Sequence, residues 1–495
     1  MRVLSITFLL VYFAILLYMG FRSKKVETSE EFFLAGRSIS KWVLALGFLA
    51  SWYGGSSCIV SADKAFKSGL GSFWVVSGPN ALAPLLLMFF AAWIRRLGII
   101  SQIRVMDQRY DKTTGNFLSV IVIWYMTTWA ASQMVAAGKF FSTYLNFSYE
   151  FAVITGVAIV FLYGLYGGYR VVTYTDIFQF WFLLVAMFIT MVAGIMAVDG
   201  VGPMISALKQ KSSSTGVQYF SLFENFSTNF MYVVSFGLGW VISADAWQRV
   251  SAARTPDDSK KMLLISGLLF IPLGILSLIV GLAGAVLYDV IPEGGVLANI
   301  ATTQLHPVIA AIVFVGVGAA LMSTMDTSIN TGSMSITEDI YRKLINPEAS
   351  NQQMVKVARI GTAIVAVIAA LVALKLRNIL WVLWMSSDII MCGVFCPLIM
   401  GFIWRRGNSK GAMASMIGGS SFVFYNVLVD LGVQMPIFWP NWPYRLLYGL
   451  TIAVILYFSV SLLTSPEYEK ADKFISRTRS EKKTIKEDPV ADTVM

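Results

Sequence analysis

Residues 316–341 read GVGAALMSTMDTSINTGSMSITEDIY, apolar enough for a membrane yet polar at short intervals. Ser323, Thr324, Asp326, Thr327, Ser328, Asn330 and Thr331 crowd into one run. Hydroxyls and carboxylates are hard oxygen donors, the ligand type that alkali cations accept. A carboxylate at bilayer depth costs about 2.5–3.5 kcal/mol on insertion scales. Residues that costly in a buried helix read as the wall of an ion site. Positions 320, 323, 324 and 327 follow i, i+3, i+4 and i+7, so they share one helix face. Taken singly, each Ser or Thr could instead bond its own i−4 carbonyl.

The elements that must hold this wall are membrane helices. The chain of 495 residues is 57% hydrophobic and 13% charged, with mean hydropathy +0.69. Long apolar runs recur near 3–21, 42–62, 72–94, 116–145, 150–167, 174–198, 229–247, 262–288, 307–334, 357–374, 378–404, 411–433 and 445–464. Each is long enough to cross a hydrocarbon core about 30 Å thick. Backbone groups in lipid must pair within the segment, so the spans are helices and the expectation is an all-α membrane protein of 13 spans. Residues 1–464 form one transmembrane domain, and 465–495 a charged cytoplasmic tail.

The net charge of +10 does not imply nucleic acid. Most of the 38 Lys and Arg fall in loops on one side of the chain when the C-terminus is placed in the cytoplasm. That is the asymmetry of the positive-inside rule, and it puts the N-terminus outside a multi-pass cell-membrane protein. Cys58, Cys392 and Cys396 all lie within spans and read as packing residues. No phosphate loop, zinc-protease signature or nucleophile elbow is present, so enzyme chemistry has no foothold.

Two spans carry helix-weakening runs. The second contains Ala50-Ser51-Trp52-Tyr53-Gly54-Gly55-Ser56-Ser57, and the seventh Ser235-Phe236-Gly237-Leu238-Gly239-Trp240. Paired interrupted helices in corresponding positions point to an inverted repeat with a midplane binding site. The repeats are then 42–198 and 229–404, with one helix before and two after.

Four motifs, in order along the chain, resemble the sodium:solute symporter family. They are Glu31–Arg37 after the first span, Tyr163–Gln179 with its Gly-Gly turn and Thr-Asp pair, Gln248-Arg249 before Ala252-Ala253-Arg254, and Ala320–Thr324 followed by Thr337–Tyr341. The resemblance implies a LeuT-like 5+5 fold with co-transported sodium between the second and ninth helices. It carries over the carbonyls of Ala50, Tyr53 and Ala320 and the hydroxyls of Ser323 and Thr324. A second cation site, or a proton site, is implied at Asp176, Asp326 and Thr327.

The solute is expected between the two breaks, beside the ion. Candidate contacts are Trp52, Gly54 and Gly55 on the second helix, and Gly239 and Trp240 on the seventh. Gln133 on the fourth helix, and Trp384 and Asp388 on the eleventh, complete the set. Trp52 stands where proline-transporting relatives carry an acid, and Trp52-Tyr53-Gly54-Gly55 also resembles the choline branch. Indole faces attract cations. The solute classes left open are an amino acid such as proline, a carboxylate, and a quaternary ammonium. The expected partners are that solute and the lipid bilayer, with no nucleic acid; a monomer is one expectation the sequence leaves open. The rival readings are a proton-coupled symporter on the same fold, a transporter-like sensor and a channel.

Overall fold

Backbone is described for residues 2–21 and 28–479 in this computed structural model. Every regular element among them is helical, apart from one isolated bridge between Ile39 and Ala253. In chain order the main helices are α1 (Arg2–Phe21), α2 (Lys41–Trp52), α3 (Gly55–Ser68), α4 (Ser77–Arg96), α5 (Lys112–Leu145) and α6 (Tyr149–Ala197). There follow α7 (Phe226–Tyr232), α8 (Ala244–Ala252), α9 (Pro256–Leu287), α10 (Pro307–Met334), α11 (Asn351–Lys375), α12 (Ile379–Ile403), α13 (Ser409–Asp430) and α14 (Arg445–Leu463).

Their starts are written locally. Ser40, Asp111, Ser148, Thr255 and Asn408 cap helix N-termini with side-chain oxygens, and Pro256 sits at the first position of α9. Ser350 and Gln353 form a reciprocal capping box at α11. Each such cap satisfies a backbone donor that the helix itself cannot.

Each of the 13 expected apolar runs falls on a helix, but not every one is long enough to span by itself. Among the described residues nine helices are long and apolar enough to cross a membrane, or ten with one bent pair counted as a span. The first, second and fifth expected spans correspond to shorter apolar helices, Val3–Leu16, Lys41–Trp52 and Tyr149–Ala158. The second is shortened because its apolar run is cut at residue 53. The third is lengthened, because helical turns join α3 to α4. The gap between the runs at 150–167 and 174–198 is helical too, since one helix runs through Tyr149–Ala197.

α10 occupies the centre, against α5 and α6 and facing α2 and α3. Close approach depends on small residues: a Cβ on Gly316 would sit 2.5 Å from the Phe182 carbonyl of α6. Likewise a Cβ on Gly281 of α9 would sit 2.2 Å from the Ala62 carbonyl of α3. α12, α13 and α14 form a flanking group, closed where Gly419 meets the Cys392 carbonyl. Backbones this near one another are the normal basis of helix association in lipid.

At the end carrying the basic loops the bundle is laced shut. Arg254 Nε donates to Ser38 O at 2.8 Å, Arg95 Nε to Ala253 O at 2.6 Å, and Arg37 to Gly98 O at 2.5 Å. Gln248 Nε2 reaches Phe33 O at 2.7 Å. Tyr468–Arg479, within the expected tail, is a helix that buries Ala471 and Phe474. It is tied on by Arg405–Asp472 and by Lys470 Nζ donating to Tyr110 O at 2.6 Å. The rest of the tail, 480–495, lies outside the described residues.

Candidate functional site

The second span breaks where its sequence weakens. α2 ends with Tyr53 N donating to Leu49 O at 2.8 Å, Gly54 is extended, and α3 begins at Gly55. The last four carbonyls of a helix have no partner within it. Of those here, Trp52 O accepts from Ser57 Oγ at 2.9 Å and Asn80 Nδ2 at 3.5 Å. Tyr53 O receives the weak thiol donor of Cys58 at 3.7 Å.

This break lies directly against α10. A Cβ on Gly54 would fall 1.9 Å from Thr324 Oγ1 and 3.4 Å from Ala320 O. A Cβ on Gly55 would strike Leu321 at 2.2 Å. Only glycines let the unwound backbone approach the hydroxyl face so closely. Thr324 Oγ1 also donates to Ala320 O at 3.2 Å, so Ala320 and Thr324 present two oxygens at one place. Ser323, Thr324 and Ala320 are all buried, as are Ala50 and Tyr53.

Ser323 faces α6 as well. Its hydroxyl donates to Asp176 Oδ1 at 2.5 Å, which leaves the serine oxygen's lone pairs available. Asp176 Oδ2 lies 3.4 Å from Arg249 Nη2. Arg249 also reaches Asp245 Oδ2 at 3.4 Å and Ser51 Oγ at 2.8 Å. Asp245 in turn accepts the Trp52 indole N–H at 2.7 Å and the Ser243 hydroxyl, itself held by Tyr125 OH at 3.0 Å. All three charged groups are buried. A buried guanidinium between two carboxylates is the arrangement that keeps such charges tolerable. Asp326 lies close enough to act electrostatically on Arg249 and Tyr12. The buried hydroxyl of Thr327, one residue on, has no hydrogen-bond partner among the described residues.

The break in the seventh span is displaced from its expected place. Val233–Leu238 winds as a π-helix, and helical turns continue through Gly239–Val241. The 40° bend falls between Val241 and Ala244. Gly239 therefore serves packing, since a Cβ there would meet Ser387 Oγ at 2.5 Å. The chain turns where Ser243 adopts an extended conformation and Trp247 Nε1 caps Val241 O at 3.0 Å. Glycine content alone pointed a few residues too early.

Trp52 and Trp240 do meet, with ring centroids 5.6 Å apart. Trp129 of α5 completes a triangle, 6.0 Å from Trp52 and 6.2 Å from Trp240. The indole N–H of Trp240 is buried without a partner among the described residues. Gln133 is committed elsewhere: its Nε2 donates to Ser56 Oγ at 2.6 Å, at the start of α3. Trp384 and Asp388 are placed apart from this triangle. They line a separate cavity with α13 and α14, although Asp388 accepts Ser235 Oγ of the π-segment at 2.6 Å. The side chains of 163–168, 170 and 171, in the Gly-Gly motif, lie outside the described residues. Trp129, Asp245 and the pairing of Arg249 were not singled out from sequence. Asp245 and Arg249 at i, i+4 were the available signal.

Residues 32–419 match the family model described as the sodium:solute symporter family. The sodium/proline symporter of Escherichia coli (strain K12) is 26% identical over 448 residues, covering 84% of this chain and 86% of that protein. The osmoregulated proline transporter OpuE of Bacillus subtilis (strain 168) is 24% identical over 473 residues, covering 92% and 94%. A solved structure of a Na+-coupled sialic acid symporter, substrate-bound and outward-open, superposes with TM-score 0.76 at 20% identity, over 94% of this chain and 98% of that one. A nucleobase-cation-symport-1 family transporter superposes with TM-score 0.59 at 13% identity, over 90% and 98%. At these identities the structural likeness speaks to the fold, which is the LeuT-like arrangement.

Proposed function

The chain belongs to the sodium:solute symporter family, and we propose that the solute it carries inward with sodium is a small zwitterionic amino acid of the proline type. It is a multi-pass membrane carrier and sodium is its co-transported ion. The amino-acid reading draws on the relatives named for proline.

The sodium ligands proposed are the carbonyls of Ala50, Tyr53 and Ala320 with the hydroxyls of Ser323 and Thr324. The observation that carries this is the contact of Gly54 with Thr324 and Ala320. An ion held there ties α2 to α10. It favours the substrate-competent state, and solute binding then permits closure and release on the other side. Coupling of this kind is reciprocal: sodium tightens solute by the factor that solute tightens sodium. The membrane potential adds about 2.3 kcal/mol per charge per 100 mV. The N-terminus is proposed to face outward, which places the arginine lacing in the cytoplasm.

Asp176, Asp326 and Thr327 are proposed as a second place for positive charge, a cation or a proton. Three carboxyls, those of Asp176, Asp245 and Asp326, share the neighbourhood of one guanidinium. Like charges crowded together favour a further positive partner. Solute contacts are proposed at Trp52, Gly54, Gly55, Gly239 and Trp240. The triangle Trp52–Trp129–Trp240 also favours a second solute reading, a quaternary ammonium held on indole faces.

The test is uptake of labelled L-proline into proteoliposomes under an inward sodium gradient, with choline and glycine betaine as competitors. Ser323→Ala with Thr324→Ala is expected to abolish stimulation by sodium. Undiminished sodium-driven uptake by that variant would remove the ion assignment. Competition by choline that exceeds that of unlabelled proline would move the solute to the ammonium class.

A further inference from the structure

The proposed sodium and solute sites are joined by an unbroken chain of buried polar contacts. At one end the Ser323 hydroxyl of α10 donates to Asp176 Oδ1 of α6 at 2.5 Å. Asp176 Oδ2 faces Arg249 Nη2 of α8 at 3.4 Å, and Arg249 Nη1 faces Asp245 Oδ2 at 3.4 Å. That same Asp245 oxygen accepts the Trp52 indole N–H at 2.7 Å. The other, Oδ1, accepts the Ser243 hydroxyl, which Tyr125 OH holds in turn at 3.0 Å. Tyr125 precedes Trp129 by one turn of α5, with ring centroids 5.4 Å apart. Asp245 is thereby tied to Trp52 directly and to Trp129 through Tyr125.

Contiguity alone transmits nothing; coupling needs an element with two arrangements that both sites bias. Arg249 has that character. A charge-assisted N–H···O bond closes to about 2.7–2.9 Å, and both of its carboxylate contacts stand at 3.4 Å. The guanidinium is shared between two acids and gripped by neither, with Ser51 Oγ, 2.8 Å from Nη2, as its pivot. Its Nε–H is buried without a partner among the described residues. A cation on the Ser323 oxygen repels Arg249 and presses the Ser323 hydroxyl proton harder onto Asp176. Both effects weaken the hold of Asp176 on the guanidinium and favour its closure on Asp245. We propose that Asp245 is the positioning residue through which sodium sets the solute site. It orients Trp52 and, by sharing Arg249 with Asp176, passes the influence of the ion from Ser323 to the indole triangle. This role rests on sodium at Ser323 and solute at Trp52.

The experiment is a sodium titration of the purified full chain in nanodiscs, free of solute, with potassium replacing sodium at constant ionic strength. Tryptophan emission is the readout, and the difference from Trp52→Phe isolates the Trp52 signal. Ion binding is followed separately, as the rise in thermal midpoint with sodium. The expected result is a Trp52 signal that follows sodium and is lost in Asp245→Asn, whose midpoint sodium still raises. Asparagine keeps an acceptor for the indole N–H but offers Arg249 no charge, so a merely structural role would leave the sodium response in place. With L-proline as probe, the factor by which sodium tightens binding is expected to fall about fivefold or more in that variant, within the ordinary range of coupling between sites. Should Asp245→Asn not fold, Arg249→Lys takes its place. A point charge cannot bridge two carboxylates as the guanidinium fork does, and the same loss is expected. A Trp52 response that survives in the folded variant overturns the proposal. So does an absent response in the unaltered chain while sodium raises its midpoint. The solute reading fails separately, by absent binding of L-proline, and the emission test uses no solute. Failure of the ion assignment has its own mark, an undiminished midpoint rise in Ser323→Ala with Thr324→Ala.

Discussion

Ser323 and Thr324 show how much one residue's surroundings decide. Thr324 is an ordinary helix hydroxyl until Gly54 of the broken second span is pressed against it, and Ser323 until Asp176 of α6 accepts its hydrogen bond. Gly54→Ala forces a methyl into the space of Thr324 Oγ1, and overpacking in a filled core costs about 1–3 kcal/mol. The expected outcome is a lowered thermal midpoint and a raised sodium requirement. Pairing it with Thr324→Ala removes the obstructing Oγ1 and is expected to recover midpoint but not sodium affinity, which separates packing from ligation. Asp326→Asn keeps the shape and removes a charge. It is expected to change the ion dependence or stoichiometry of uptake, measured as sodium-to-solute flux ratio, and an unchanged ratio removes the second site. The oxygen-rich face at 320–327 was legible because its spacing is a property of a single helix. Asp245 on Trp52 was not, because 193 positions separate the partners and nothing local records the encounter. Trp384 and Asp388 were read as parts of one central site because sequence gives a helix's polar residues without saying which neighbour each face meets.

The elements repeat this division. The break after Tyr53 was readable, since two glycines coincide with the real end of α2. The bend near Ser243 was misplaced, since Gly237 and Gly239 upstream both lie in helical turns, Gly239 packed against α12. Arg249 joins α8 to both α2 and α6, and it is the residue whose loss should be felt across all three. Removing one partner of a buried ion pair costs about 3–5 kcal/mol, because the other charge stays behind unpaired. Arg249→Met is therefore expected to unfold well below the unaltered chain in a detergent melt. Adding Asp245→Asn should restore part of the loss, and strict additivity of the two would deny the coupling. Gly316→Ala tests the α6–α10 contact, where the obstacle is backbone rather than a flexible side chain. A drop in midpoint is expected there, and an unaltered melt would mean that the helices part at little cost.

For the whole molecule, composition and loop charge announced a multi-pass membrane protein, and its apolar runs fall on nine long helices, one bent pair and three shorter apolar helices among the described residues. The second run, 42–62, is divided between Lys41–Trp52 and the helix that starts at Gly55, so its length in sequence is not the length of one helix. The proposed orientation predicts that Ser350→Cys, in the loop before α11, is reached by an impermeant maleimide only from the cytoplasmic face. Labelling of intact cells from outside would reverse the topology. One consequence of the lacing at that end concerns what can undo it. Arg254, Arg95 and Arg37 are anchored on main-chain carbonyls, at Ser38, Ala253 and Gly98. A peptide oxygen takes up no proton near neutrality and carries no charge for a salt to screen. Acidification therefore has no acceptor to protonate at Arg254 and Arg95, whose clasps give way only when whole segments slide; Arg37 alone adds an acid partner, Glu30, that a proton can release.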